Sequence, residues 1–545
     1  MPGTRDHDPL VIEEFGGWWD RGDAESCPSD HFTIAENVQY IHSGVETRDG
    51  IQPYFFTPQP TIKILRAYNY TTQKGDTILA LSDEGRIYHI TGRTSADVTL
   101  VLTVTGMEDF GFVAINGRAY ITPFKIYTGA YGENYSLGLG APNGFLYVYK
   151  GDGSLARKAA GLPPSNPGVP LVAAYGTDTG TQEVVDAGKH LIAVVYETDT
   201  GYLTALGPEI FAELDFQATK KVLVTKIPVS TPPPSPVVRR HLVSTKAILN
   251  YNGDQKGYQF FFIPGGTIND NTTTSWEVAY FDSDLIADAS HLIDNFSEIP
   301  AGVNLTTYHS RLIIVGEFGT TETLQGLPPG ITDNRSIARV SFPGEPESIS
   351  KIDGLIVAPL DGQALTTAQE FRDVLYLFKH TRTYVYSDNN DEPVTWQEEV
   401  VDQAVGAPVH GIATVLDSGG VNTDFLLIVD WSGLMLFNGV FARPELSFKI
   451  ENFWKLMDRN LFHQLEIVND SINKKMWITI PGLRRNEILH ADYTNGMNAM
   501  AIRWSKWKFN ADINTILLIN TDDLTIGTNG PHVDDISHPA ITVIP

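Results

Sequence analysis

FLLIVDWSGLMLFNG, residues Phe425 to Gly439, is two apolar runs parted by Asp430, Trp431 and Ser432 and by the flexible Gly433. Short apolar runs bounded by turn formers read as strands, and two of them joined by a short turn read as a hairpin. The same rhythm recurs in DTILALSDEGRIYHI (Asp76 to Ile90), in FGFVAINGRAYIT (Phe110 to Thr122), in DVLYLFKHTRTYVYSD (Asp373 to Asp388) and in QLEIVNDSINKKMWITIPG (Gln464 to Gly482). GFLYVYKGDG (Gly144 to Gly153) reads as half of another unit, and HSRLIIVGE (His309 to Glu317) and NTILLINTDDLTIGTNG (Asn514 to Gly530) complete the series. In the second of these repeats the turn is Asn116-Gly117, a strong hairpin signal because both residue types tolerate positive φ.

These hairpin cores are mostly separated by about 35 to 60 residues, the spacing of small antiparallel sheets used as repeating units. A hairpin cannot bury both of its faces alone. Stacking hairpins face to face buries them, and closing the stack into a ring leaves only short edges. The expected fold is therefore all-β, a β-propeller of six to eight blades; separate β-sandwiches would also place strands at this spacing. Helical signals are few, the best being IENFWKLMDRNLFHQLEI (Ile450 to Ile467), with Phe453, Leu456 and Met457 on one face.

One segment breaks the rhythm. From GLPPSNPGVP (Gly161 to Pro170) to about Leu285 the chain offers a half-buried hairpin pattern in Gly188 to Pro208, more strands around a Pro-rich bend, and YQFFFIPGG (Tyr258 to Gly266). Prolines at its border suit a domain boundary. The expected organisation is residues 1–163 as the first part of the propeller, 164–287 as an inserted β-sandwich, and 288–545 as the remainder.

Composition narrows the chemistry. The 39 Lys and Arg stand against 65 Asp and Glu, for a net charge of −26, a field that opposes phosphate-neutralising contacts to nucleic acid or anionic membranes. One cysteine, Cys27, leaves no internal disulfide. The N-terminal stretch lacks a basic start and an apolar h-region, and no apolar run reaches the ~18 residues of a membrane span, so a soluble chain made in the cytoplasm, without stable membrane insertion, is expected.

Catalytic signatures are missing: there is no G-x-S-x-G, H-E-x-x-H, Walker loop or paired C-x-x-C. Cys27 reads as an inert small residue, and Asp6-His7-Asp8 as a polar terminus rather than a metal site. Asp388, Asn390 and Glu392 alternate like calcium ligands but lack the central Gly and distal Glu of an EF-hand loop, so an inter-strand turn is expected. Glu345 and Glu347 read as a solvated connector rather than a catalytic pair, with Phe342 and Ile349 packed into blade contacts around the Gly344 turn. Arg21-Gly22-Asp23 reads as a chance match to an adhesion tripeptide. Trp18, Trp19, Trp504 and Trp507 read as packing where the chain ends meet, with a sugar-stacking platform as the competing reading. Arg239-Arg240, Lys474-Lys475 and Arg484-Arg485 are isolated basic pairs, better suited to salt links between subunits than to a DNA track. No catalytic, cofactor or metal residue is assigned.

NRSIARVSFPGEPESIS (Asn334 to Ser350), then FRDVLYLFKHTRTYVYSD, VTWQEEVVDQAVGAPVHGIATV, LLIVDWSGLMLFNG and, far downstream, ISHPA resemble in their order the blade signatures of the tail nozzle, or tail tubular protein B, family of short-tailed bacteriophages. FTIAENVQYIHSGVETRDGI (Phe32 to Ile51) resembles the start of those proteins, and TDTGYLTALGP with VVRRHLVST resembles their inserted sandwich. The resemblance implies a virion structural protein that is not an enzyme and takes no cofactor. It implies a six-copy ring at the distal end of a short tail, below an adaptor attached to the portal and beside fibre or needle proteins, retaining and conducting viral DNA. An acidic wall would suit such a conduit, since it offers phosphates no site at which to stall. A propeller enzyme or a module binding host-surface glycan is the alternative, with its site at a mouth of the ring's own channel.

Overall fold

In the computed structural model the described residues run from 15 to 544, apart from 42–43, 49–51, 56–61, 73–74, 93–94, 127–134, 137–143, 160–169, 181, 183, 208–211, 217–218, 231–236, 249–257, 297, 319–333, 417–423, 510, 520–522 and 529–540. The opening hairpin forms as read: Phe425–Asp430 pairs antiparallel with Gly433–Phe437. Its unbroken apolar run has a simple cause. Successive strand residues point to opposite faces, and here both faces are covered. Leu426 and Ile428 pack with Phe371 and Phe378 of one neighbouring sheet, while Leu427 and Val429 pack with Ile467 and Ile478 of the other. All four are fully buried, each contributing roughly 1.5–3 kcal/mol of apolar burial.

Seven such sheets form the ring among the described residues. Blade 1 is Ile64–Thr72, Gly75–Ser82, Arg86–Ile90 and Val98–Thr103. Blade 2 comprises Asp109–Ile115, Arg118–Ile126, Tyr147–Tyr149 and Arg157–Lys158. Blade 3 begins with Asn304–Tyr308 and Arg311–Val315 and continues with Ile337–Phe342 and Glu345–Ile349; blade 4 holds Leu365–Phe371, Val374–Lys379, Thr383–Ser387 and Gln397–Asp402. Blade 5 is Ile412–Val415 with the opening hairpin, and blade 6 is Ile467–Asp470, Lys475–Thr479, Glu487–Asp492 and Arg503–Lys508. Blade 7 takes Ile513–Ile519, Asp523–Thr528 and Ile541–Ile544 from the C-terminal region and Gln52–Phe55 from the N-terminal region as its outermost strand. This exchange closes the ring. The first strand of each blade is its innermost, and at the closure blade 7's inner strand packs on blade 1's, where Asn514 donates to the Ile64 carbonyl (2.8 Å) and the Ala67 amide donates to Thr515 Oγ1 (3.2 Å).

Between blades 2 and 3 the chain forms a sandwich. One sheet joins Val172–Asp178, Lys220–Thr225 and Ser275–Val278; the other joins Ala212–Phe216, Gly188–Thr198, Val237–Thr245 and Phe260–Ile268. Ile192, Val194, Val222, Val224 and Leu242 fill the space between them. The long strand is not half-buried, as its pattern suggests, because Leu191, Ala193 and Val195 on its other face are covered by Ala289 and Leu292 on the way to blade 3.

Several expectations need correction. Ile450 to Ile467 is not one helix: a short α-turn, Glu451–Lys455, precedes a 3-10 segment, Arg459–Gln464, and Leu456 is 71% exposed while Phe453 and Met457 are buried. Phe342 is 41% exposed, whereas Ile349 is fully buried. Trp18 and Trp504 do share one core, and the Trp18 amide donates to the Trp504 carbonyl (2.9 Å), but this joins an N-terminal arm to blade 6, away from the strand exchange in blade 7. Arg239 pairs with Glu197 and buried Arg240 with Asp270, so this basic pair is spent inside the chain. Asp6 to Asp8 and ISHPA lie outside the described residues.

Candidate functional site: the central channel

Seven inner strands converge on one axis, and each contributes to the wall of a cavity of about 400 Å³. Its lining is mostly neutral: Asn69, Asn304, Thr306, Thr367, Gln369 and Asn469 supply amides and hydroxyls, with Tyr68 and Phe112 as aromatic wall.

A charged cluster stands at the end where the inner strands begin. Arg66 of blade 1 forms a two-pronged pair with Asp109 of blade 2 (2.9 and 3.0 Å) and stands 2.9 Å from Glu466, just before blade 6. His410, just before blade 5, places Nε2 3.0 Å from the second oxygen of Asp109 and Nδ1 3.0 Å from the Tyr68 hydroxyl. Glu466 also accepts from Thr515 Oγ1 (2.8 Å) and the Ile516 amide (3.0 Å) of blade 7. Five blades thus meet in one network. Arg66, Asp109 and Glu466 are 3%, 2% and 6% exposed. Burial alone would push the Asp109 carboxyl up, but Arg66 and His410 overcome it and hold the carboxyl well below its usual range. Burial likewise opposes charge on Arg66, and Asp109 and Glu466 restore it; the Tyr68 hydroxyl is raised by burial and by Asp109. Charges removed from water in this way persist only when mutually paired and hydrogen-bonded.

The network narrows the first mouth, and the cavity of about 400 Å³ is too small to hold a DNA duplex, whose major groove alone is about 12 Å wide.

Beside the network, a second cavity of about 230 Å³ is lined by Arg66, Asp109, His463, Gln464, Arg485 and Asn514 among others. Burial lowers the His463 imidazole to about 4, and burial and His463 together lower His380 to about 4. Trp431, from the opening turn, stands edge-on to His380 (5.0 Å) and stacks on Phe462 (5.4 Å). Asp430 is buried because its carboxylate caps that turn, accepting from Ser432 and from the Gly406 amide of the preceding linker.

The sequence-derived candidates are dispersed. Glu345 is exposed, but Glu347 is no solvated connector: it is buried and takes both Arg157 prongs (2.8 and 3.0 Å) and the Thr200 hydroxyl. Arg157 also holds Asp199, so the sandwich turn at residues 199–200 is clamped onto blades 2 and 3. Cys27 donates to the Pro28 and His31 carbonyls, and burial and Asp30 push its thiol up. Arg21 lies over the Phe448 ring and pairs with Glu451 (3.2 Å). Asp388 and Asn390 form an inter-strand turn, with Asp388 Oδ1 accepting from the Asn390 amide (2.8 Å). Sequence reading missed Arg66, Asp109, His410 and Glu466, which come together only when the inner strands meet around the axis.

No protein-family model and no curated protein matches the chain. Solved structures to which it is similar include BamB from Moraxella catarrhalis, at 8% identity and a TM-score of 0.28 over 88% of this chain and 82% of that one. YCF48 bound to D1 peptide aligns at 9% identity and a TM-score of 0.25 over 90% of this chain and 96% of that one. The β-propeller architecture rests on strand order and ring closure, which are internal to the chain. Among the described residues no helix is long and apolar enough to cross a membrane.

Proposed function

We propose that this chain is a non-enzymatic virion structural protein, the nozzle of a short bacteriophage tail, and that DNA passes through the space enclosed by several copies rather than through any one propeller. The observation that carries this reading is the charge network at the first mouth, where Arg66, Asp109, His410 and Glu466 tie blades together across the axis and make the ring a unit suited to assembly. The ordered resemblance of the blade segments to the tail nozzle family supports it and suggests six copies, with a portal-bound adaptor above and fibre or needle proteins beside them. A net charge of −26 supports a lumen that repels phosphate and so conducts without capture. Localisation in the tail, after synthesis in the host cytoplasm, follows from the same reading.

A second reading has its own observation: the neutral amide and hydroxyl lining of the 400 Å³ cavity, with Tyr68 beside it, is chemistry that could take a small polar ligand such as a sugar unit. Light scattering and negative-stain microscopy of the purified chain, alone and with a portal-adaptor complex, separate the two. Closed rings, or binding to the adaptor, are expected; a stable monomer that retains or cleaves polysaccharide would refute the nozzle reading.

A further inference from the structure

At the opposite mouth, where the inner strands end, two neighbouring turns bring three metal-ligating side chains together. His309 follows the inner strand of blade 3, while Glu370 and Asp373 end and follow that of blade 4. One donor atom from each lies within 4.8 Å of the others. Both turns hold non-glycine residues in the left-handed region, His309 and Ser310 at φ 46° and 61° and Arg372 and Asp373 at 52° and 61°. Such pairs make the two-residue hairpins whose twist matches the strands.

The surroundings orient this cluster. His309 stacks on Tyr308 at 4.1 Å, and its Nδ1 stands 3.4 Å from the Asp388 carboxylate, which leaves Nε2 for another partner. A carboxylate behind an imidazole is the usual support of a metal-ligating histidine. Asp388 is itself tied in, since its amide donates to the Tyr308 hydroxyl (3.0 Å), and that hydroxyl donates to the Asp373 carbonyl (3.0 Å). Arg372 stands between the two acids in sequence and would be their natural counter-ion. It is turned toward blade 5, donating to the carbonyls of Asn438 (2.7 Å) and Asp424 (3.1 Å). Among the described residues no lysine or arginine is ion-paired with Glu370 or Asp373.

We propose that His309, Glu370 and Asp373 bind a divalent transition-metal ion, zinc or manganese, that staples the turns of blades 3 and 4 at the second mouth. One imidazole and two carboxylates are a donor set for these ions, with water completing the shell. Metal–ligand distances near 2.0–2.2 Å require the donors to close in from their present spacing, which half-exposed side chains on turns can do. The proposal is independent of the nozzle reading.

The test uses the full chain, stripped with chelator and dialysed, then titrated calorimetrically with Zn²⁺ and with Mn²⁺, with melting followed in parallel. One site per chain and a raised melting temperature are expected. His309→Asn, which tolerates the left-handed turn, and Glu370→Gln should each weaken that site at least tenfold, and Asp388→Asn should weaken it about tenfold through the imidazole. Asp391→Asn, in the adjacent acidic turn, should leave it unchanged. Absence of binding in wild type, or binding that survives both ligand variants, would overturn the assignment; circular dichroism identifies any variant that fails to fold.

Discussion

The two mouths of the channel solve the same problem in different ways. At the first, five blades are joined by buried charge, with Arg66 between Asp109 and Glu466 and with His410 behind. At the second, blades are joined in pairs by neutral bonds: the Tyr70 hydroxyl reaches from blade 1 to the Gly117 carbonyl in the blade 2 turn, and Tyr308 reaches from blade 3 to the Asp373 carbonyl in the blade 4 turn. The first mouth is therefore cooperative and intolerant of losing one member. The second is modular. It leaves its acidic side chains facing water.

The largest break in this contrast should come from Arg66→Ala. Removing the one guanidinium strands two buried carboxylates, at a cost of about 3–5 kcal/mol in denaturant unfolding. Replacing the set together, Arg66→Met with Asp109→Leu and Glu466→Leu, should recover much of that loss, because no charge is then left buried. A triple variant as unstable as the single one would mean that shape, rather than charge pairing, holds the mouth.

Arg157→Ala calibrates the effect outside the channel. Arg157 also sits between two carboxylates, but Asp199 keeps Lys150 and Arg118 as partners, so a loss of about 2–3 kcal/mol is expected. Faster proteolysis at the 199–201 turn should accompany it, reporting release of the sandwich from the ring.

Acid should weaken the first mouth before the second. His380 and His463 are lowered to about 4 in the fold, so between that pH and 6.5 the unfolded chain binds more protons than the folded one. Their contribution is intact above pH 6.5 and is lost as pH falls toward 4. Melting temperature measured across that window should fall, and His463→Asn should flatten the slope. An unchanged slope would remove His463 from the account. The smallest effects belong to the second mouth: Tyr70→Phe and Tyr308→Phe should each cost about 1 kcal/mol, and the pair should add, since the two bonds share no partner.

Hairpins were legible because their information is local. The Asn116-Gly117 turn takes the positive φ values, 51° and 72°, that its residues favour, and the unbroken apolar run from Phe425 to Val429 already implied cover on both faces. The paired runs separated by Gly and Asp, and the strong acidity, belong to the same class of signal. The left-handed turns at His309-Ser310 and Arg372-Asp373 were not legible, because neither carries the Asn-Gly or Asp-Gly pair that marks such a hairpin in sequence. Glu347 was misread for a related reason, since its partner Arg157 is 190 residues away.

What the amino-acid order settled unaided is that this chain makes many short antiparallel ribbons that cannot stand alone, because alternation and turn chemistry act within about ten residues. Which strands face the axis, that Gln52–Phe55 completes the last blade, and that Arg66 meets Asp109, His410 and Glu466 were decided only by closure of the ring. The reason is one of distance along the chain: Asp109 and His410 are 301 residues apart, and nothing in the local pattern of either foretells a contact that exists only after seven sheets have packed around a common centre.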